Sequence, residues 1–460
     1  MPQSPITIRF VDEAQLAQEP AAVRSWCKAS GFVAQPGQFC LVPGMAVGVE
    51  GAIAQVLLGQ PTSLDTWSLG LLSTTLPPGH YALEADLPGE IATKLCLGWK
   101  LGQYRFDRYK QAGPTGTPAE LPELQIPSQA DSDYIEAAVA ATTLTRDLIN
   151  TPVNDMGPTQ LAAEALALAQ VHGAEISIII GDDLLAQNYP MVHAVGRASS
   201  DLPRVIDLRW GEADAMAVTL VGKGVCFDSG GLNIKSSGGM KLMKKDMGGA
   251  AQVLGAAKMI MQLNLPVRLR VLVGAVENSI SGNAMRPLDI LNSRKGLSVE
   301  VGNTDAEGRL VLGDILWEAA SEDPALVVDF ATLTGAARVA LGSELPALFA
   351  SQPDTAAALL AAGAAVDDPL WQLPLHQPYR AMLESKVADL SNISNSSFGG
   401  AITAALFLQE FVKPETNWMH VDVMSWNLRS LPGRPEGGEA MAMRAVVQMI
   451  QNRVSAAISG

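Results

Sequence analysis

From residue 150 onward the chain alternates short β-branched runs with alanine-rich stretches, and no other feature of the 460-residue sequence limits the fold as much. The runs at 176–180, 217–221, 267–276 and 325–330 are bounded by turn residues, while 249–263 and 308–320 have the composition of helices. Buried strands separated by helices predict an α/β domain on a largely parallel sheet.

The first hundred residues alternate similarly, with a candidate helix at 21–29 and a candidate strand at 43–54. Between Gln111 and Gln129 the composition shifts to Gly, Pro, Thr and Gln. Prolines at that density oppose continuous helix and favour an extended linker, so a domain boundary is expected here. A helix follows at 131–149, with Asp131 or Ser132 as its cap. The expected organisation is a small N-terminal α/β domain over 1–125, a linker and connecting helix over 126–149, and a larger α/β domain over 150–460. Two cores suit a chain of this length.

The formal net charge of −15 disfavours nucleic-acid backbones and anionic lipid as partners. The four cysteines, Cys27, Cys40, Cys96 and Cys226, form no C-x-x-C pair and read as buried or free thiols. There is no charged leader with an apolar run, and no apolar stretch of the roughly 20 residues a bilayer needs. A cytoplasmic address without membrane contact is the expectation.

Three segments carry candidate chemistry. Gly222-Lys223-Gly224-Val225-Cys226-Phe227-Asp228-Ser229-Gly230-Gly231 follows a candidate strand and is expected at its carboxyl end, where open α/β sheets place ligands. It also reads as a plain tight turn, and it lacks the Gly-Lys-Ser/Thr ending of a phosphate loop. Asn303-Thr304-Asp305-Ala306-Glu307-Gly308-Arg309-Leu310 follows the strand-like 297–301 and opens a helix. Its acids could be helix N-terminal carboxylates favoured by the macrodipole, although an adjacent arginine can also hold an anion beside a cation cluster. The stretch from Ile234 to Gly249 holds Lys235 and Asp246 among lysines that read as a solvated basic face. Together the segments offer Asp228, Asp246, Asp305, Glu307, Lys223, Lys235 and Arg309, a set suited to an oxygen-bound dication. None of the five histidines lies in them, and H-E-x-x-H and Gly-x-Ser-x-Gly are absent. A two-metal centre activating water explains so many carboxylates without histidine.

The 303–310 octapeptide resembles the signature of the leucine (cytosol) aminopeptidase family. The resemblance extends to 222–231, 246–251, 331–336, Asn150-Thr151-Pro152, Asn154-Asp155-Met156, Ala388-Asp389 with Asn392, and Gly399-Gly400, and so spans about residues 145–450. It implies one metal held by Asp228, Asp305 and Glu307, and a second by Lys223, Asp228, Asp246 and Glu307. It implies further that Lys235 stabilises the oxyanion and that Arg309 anchors a bicarbonate acting as general base. Met243, Thr332, Leu333, Gly335 and Met424 would surround the substrate. The implied metals are Zn or Mn, with Mg or Co as alternatives, and the substrates are short peptides with a free N-terminus. The implied architecture is a small N-terminal α/β domain beside an α/β catalytic domain with a mixed central sheet, assembled as a homohexamer. Met424 departs from the family, which has a small residue in the stretch matching His420-Val421-Asp422-Val423-Met424. A narrowed first pocket, favouring Ala or Met over Leu, is therefore expected. Two rival readings stand beside this one, a DNA-binding accessory role and a nucleotide-binding protein using the Gly222 segment.

Overall fold

The computed structural model describes residues 4–44, 53–84, 87–110 and 120–459. They form two compact units, Met1–Val139 with Ser430–Pro435, and Ala140–Arg429 with Glu436–Gly460.

In the first unit, β1 (Ile6–Val11), β2 (Phe39–Pro43), β3 (Ile53–Gly59), β4 (His80–Leu83) and β5 (Glu123–Leu124) form one sheet in the order β2-β3-β1-β4-β5. Only β2 runs antiparallel to its neighbour. The expected helix at 21–29 is present as Ala21–Ala29 and buries Val23 and Cys27. The helix Gly89–Gly102 packs Leu95 and Trp99 with Ile8, Val56 and Tyr81. Of the expected strand at 43–54, Pro43 ends β2 and Ile53 begins β3. The intervening residues 45–52 lie outside the described residues, as do 111–119 of the proline-rich stretch. The later part of that stretch supplies β5, an edge strand of two residues. So short a strand leaves no alternation to read.

The second unit contains β6 (Glu175–Ile180), β7 (Arg204–Trp210), β8 (Met216–Asp228), β9 (Val267–Asn278), β10 (Ile290–Asn292), β11 (Ser298–Glu300), β12 (Leu326–Ala331), β13 (Ala347–Ala350), β14 (Trp371–Gln372), β15 (Leu390–Ser391) and β16 (Trp418–Asp422). Eight of these form a sheet in the order β14-β13-β16-β12-β8-β9-β7-β6. Its centre, β16-β12-β8-β9, is parallel, and antiparallel pairings at β13 and β7 make the whole sheet mixed. Strand β11, the expected 297–301 strand, belongs instead to a small sheet with β10 and β15. Helices Gly248–Gln262 and Gly308–Ala319 bury most of their residues, consistent with their apolar composition all round. Asp131 caps the helix Ser132–Asn150, its Oδ1 accepting the Tyr134 N–H at 2.9 Å. All four cysteines are buried and free. No helix among the described residues is long and apolar enough to cross a membrane.

Two details of β8 position the site. The segment 222–228, expected past the end of a strand as a ligand loop or a plain tight turn, is itself strand. Its first glycine serves packing and not a ligand. A Cβ on Gly222 would lie 2.7 Å from Ala250 Cα, so glycine is what lets the helix Gly248–Gln262 seat against the strand. Pairing with β12 stops at Gly222–Phe330, so the strands part at Lys223. Strands on either side of β8 are reached by opposite crossovers, and such a switch point is where open sheets form a crevice. Farther along, Val225 pairs with Val276 and Asp228 with Asn278, three residues of β8 against two of β9. Lys223 and Asp228 are an odd number of residues apart and would face opposite sides of a regular strand. The bulge restores them to one side, and both line one cavity.

Candidate metal centre

The cavity, about 400 Å³, lies at the carboxyl ends of β8 and β12. Asp228 ends β8, and its Oδ1 is fixed by the Gly230 N–H and by Asn278 Nδ2, each at 2.9 Å. The 303–307 loop is braced from three sides. Asn303 Oδ1 accepts the Asp305 N–H at 2.8 Å, Thr304 Oγ1 donates to the Gly230 carbonyl at 2.6 Å, and Asn392 Nδ2 donates to the Asn303 carbonyl at 2.8 Å. Glu307 stands at the start of the helix Gly308–Ala319 but makes no side-chain cap bond, so the helix-terminus reading does not account for it. The next residue, Gly308, leaves room for Lys223. A Cβ on Gly308 would fall 2.4 Å from Lys223 Cε.

These braces gather oxygens of Asp228, Asp305 and Glu307 within 4.8 Å of one another. Lys235 Nζ lies 2.7 Å from Asp228 Oδ2 and 2.5 Å from Asp305 Oδ1. Lys223 Nζ lies 2.7 Å from Asp246 Oδ2 and 3.1 Å from Glu307 Oε1, and donates to the Thr332 carbonyl. Asp246 is also held by the Thr332 hydroxyl at 2.8 Å. The site is thus a lattice of like charges separated by ammonium groups. Burial works against both lysines' charge, yet the carboxylates hold their pKa values above the ordinary range. Glu307 is pushed up to about 8, by burial first and then by Asp228. Glu307 Oε2 is buried with no hydrogen-bond partner. Converging carboxylate oxygens, one of them without a donor, are what a hard or borderline dication requires, so these residues fit a divalent metal.

Arg309 is deeply placed, with Nη1 donating to the Asn392 carbonyl at 2.8 Å and Nε without a partner. Burial draws its pKa down to about 10. Met243, Thr332, Leu333 and Gly335 line the cavity as well. Met424 is half-buried and is not among the lining side chains. The Leu333 N–H is given to Asp422 Oδ1 at 3.0 Å, so its carbonyl is the backbone group left for a ligand. The lysine-rich stretch is no solvated face, since Lys245 is only 2% exposed and burial draws its amine down to about 8. Sequence reasoning gave no role to Asn278, Thr304 or Asp422. Only their neighbours in space distinguish them from other polar residues.

The profile described as the cytosol aminopeptidase family, catalytic domain, matches residues 143–447, and that of the M17 aminopeptidase N-terminal domain matches 5–122. The chain belongs to the cytosol aminopeptidase family. It is 39% identical over 383 residues to a probable cytosol aminopeptidase of Roseiflexus castenholzii, covering 80% of this chain and 78% of the relative. A probable cytosol aminopeptidase of Synechococcus sp. is 35% identical over 461 residues, covering 95% and 92%. Among solved structures, the cytosol aminopeptidase from Coxiella burnetii superposes with a TM-score of 0.92 at 48% identity, covering 99% of this chain and 98% of that one. The bottromycin maturation enzyme BotP in complex with Mn gives 0.87 at 32%, covering 98% and 100%. Cytosol aminopeptidases are metal-dependent hydrolases acting on peptides, and the resemblance read from the octapeptide and the two-domain α/β fold are both borne out.

Proposed function

We propose that this cytosol aminopeptidase removes the N-terminal residue of short peptides at a two-metal centre. The observation that carries the reading is the convergence of Asp228, Asp305 and Glu307 with a buried, donorless Glu307 oxygen in a peptide-sized cavity. One ion would be held by Asp228, Asp305 and Glu307, the other by Lys223, Asp228, Asp246 and Glu307. Zn or Mn suits these ligands, with Mg or Co as alternatives, and a bound pair would supply Lewis acidity and a lowered pKa for water. Lys223 would ligate as the neutral amine, which nearby dications would enforce. Lys235 bridges Asp228 and Asp305 in this structure. With those carboxylates engaged by metal, its ammonium would be free to face the oxygen that gains charge at the scissile carbonyl. Arg309, cationic and with an unengaged Nε, would hold a bicarbonate as general base. The Leu333 carbonyl and Gly335 would align the peptide, with Met243 and Thr332 beside its first side chain.

The same reading includes a cytoplasmic homohexamer and a catalytic domain over 150–460, joined by residues 126–149 to an N-terminal domain over 1–125. The test is hydrolysis of aminoacyl amides by metal-loaded protein and by Glu307→Ala. The variant is expected to keep its circular dichroism spectrum, lose both metals and lose turnover. Two metals per chain and near-normal turnover in that variant would sink the mechanism.

A further inference from the structure

The cavity holds two cations that the proposed chemistry leaves unused. Lys245 lies in the 3-10 helix Met243–Met247 and Arg338 in the helix Gly335–Leu341, and both line the cavity beside Met243, Thr332 and Gly335. Arg338 reaches back over the wall, where its Nη2 would lie 3.7 Å from a Cβ on Gly335. Its Nη1 is buried with no hydrogen-bond partner. Lys245 is almost wholly buried and closes no ion pair among the described residues. The acids acting on Lys245 are Asp246 and Asp422, and both are engaged elsewhere. Asp246 is held by Lys223 and Thr332, and Asp422 by the N–H groups of Leu333 and Thr334 and by the Thr334 hydroxyl.

Across the cavity Lys223 and Lys235 balance carboxylates, whereas Lys245 and Arg338 close no ion pair among the described residues. Dications bound nearby would add to the surplus. Buried cations without partners are costly, and a site retains them where a ligand supplies the counter-charge. Permanently charged and planar, Arg338 is matched to a carboxylate, with Lys245 as a second donor.

Building on the aminopeptidase reading, we propose that Lys245 and Arg338 form an anion-recognising wall that selects peptides whose first residue carries a carboxylate side chain, glutamate or aspartate. The wall they share with Met243, Thr332 and Gly335 favours the first side chain over the other carboxylate available in a short peptide, its C-terminus. Specificity here is set by charge more than by the bulk of Met424.

The test compares glutamyl and glutaminyl p-nitroanilides, which differ by charge at nearly equal size, with Ala-Ala and its amide as a second pair. In the unaltered enzyme, kcat/KM for the glutamyl substrate is expected to exceed that for the glutaminyl one by at least about tenfold. In Arg338→Ala and Lys245→Met the ratio falls towards one, mainly through KM, and Arg338→Lys recovers part of it. Calorimetry supplies a readout independent of turnover, with free L-glutamate binding more tightly than L-glutamine and Arg338→Ala abolishing the difference at unchanged metal content. Equal binding of the two amino acids, or a ratio untouched by both substitutions, overturns the proposal. An Arg338-dependent preference for Ala-Ala over its amide reassigns the wall to the peptide C-terminus and overturns it equally. No hydrolysis of any amide, with glutamate binding intact, would refute the aminopeptidase reading and leave the wall standing.

Discussion

At the residue scale, the site is a set of carboxylates whose mutual repulsion is held in check by two lysines, to which the proposed function gives different tasks. Lys223 is walled in by Asp246, Glu307 and the Thr332 carbonyl, a ligand's surroundings. Lys235 is more open and contacts only carboxylates that metal would claim. Lys235→Ala should therefore lower kcat by about a hundred- to a thousandfold while KM changes little, the pattern of a group acting in the transition state. Steady-state kinetics at saturating metal check this, and near-normal kcat would mean the role is misassigned. Asp305, Glu307 and Arg309 were legible because eight contiguous residues carry them. Asn278 was not, and although Thr304 and Asn392 lie in stretches that match the family, their bracing roles were not legible either, since nothing in a sequence marks which amide or hydroxyl reaches across to brace a distant loop. Lys245 misled for a related reason. A lysine beside other lysines looks solvated until the fold encloses it.

Among the elements, regular helices were read closely, as with Ala21–Ala29 and Gly308–Ala319, because composition over several turns averages out local exceptions. Strands were read less well. The glycines of β8 suggested a turn, yet they admit a helix to the strand, and a two-residue strand such as β5 has no pattern to find. The helix Ser132–Asn150 shows how an element is fastened. Arg146 Nε and Nη2 each meet a Glu439 oxygen at 3.0 Å, and Asn427 Nδ2 completes the carboxylate at 2.8 Å. Both charged side chains are almost wholly buried. Removing one partner strands the other, so Glu439→Ala should cost about 3–5 kcal/mol in chemical denaturation, and the double replacement Arg146→Met with Glu439→Leu markedly less. Equal losses in the single and double variants would show that packing, and not the stranded charge, dominates.

For the whole molecule, the two-domain α/β architecture was legible because strand–helix alternation is a long-range signal that survives errors at individual boundaries. Assembly was not, since no pattern in one chain marks the surface that another copy would cover. The hexamer is tested by light scattering with activity measured on the same fractions. A mass six times that of the chain is expected, and a stable, fully active monomer would refute it.

The bulge in β8 has a consequence for how such a protein tolerates insertions and deletions. The bearing of Asp228 is encoded as parity, one surplus residue between Val225 and Asp228 that turns an odd interval into an even one. Removing one residue outside the bulge, at Gly224, would leave every site residue in the text of the sequence and the bulge intact, yet would turn the carboxylate through half a revolution into the layer opposite Lys223. A motif search would still recognise that protein as intact, while its metal site had come apart.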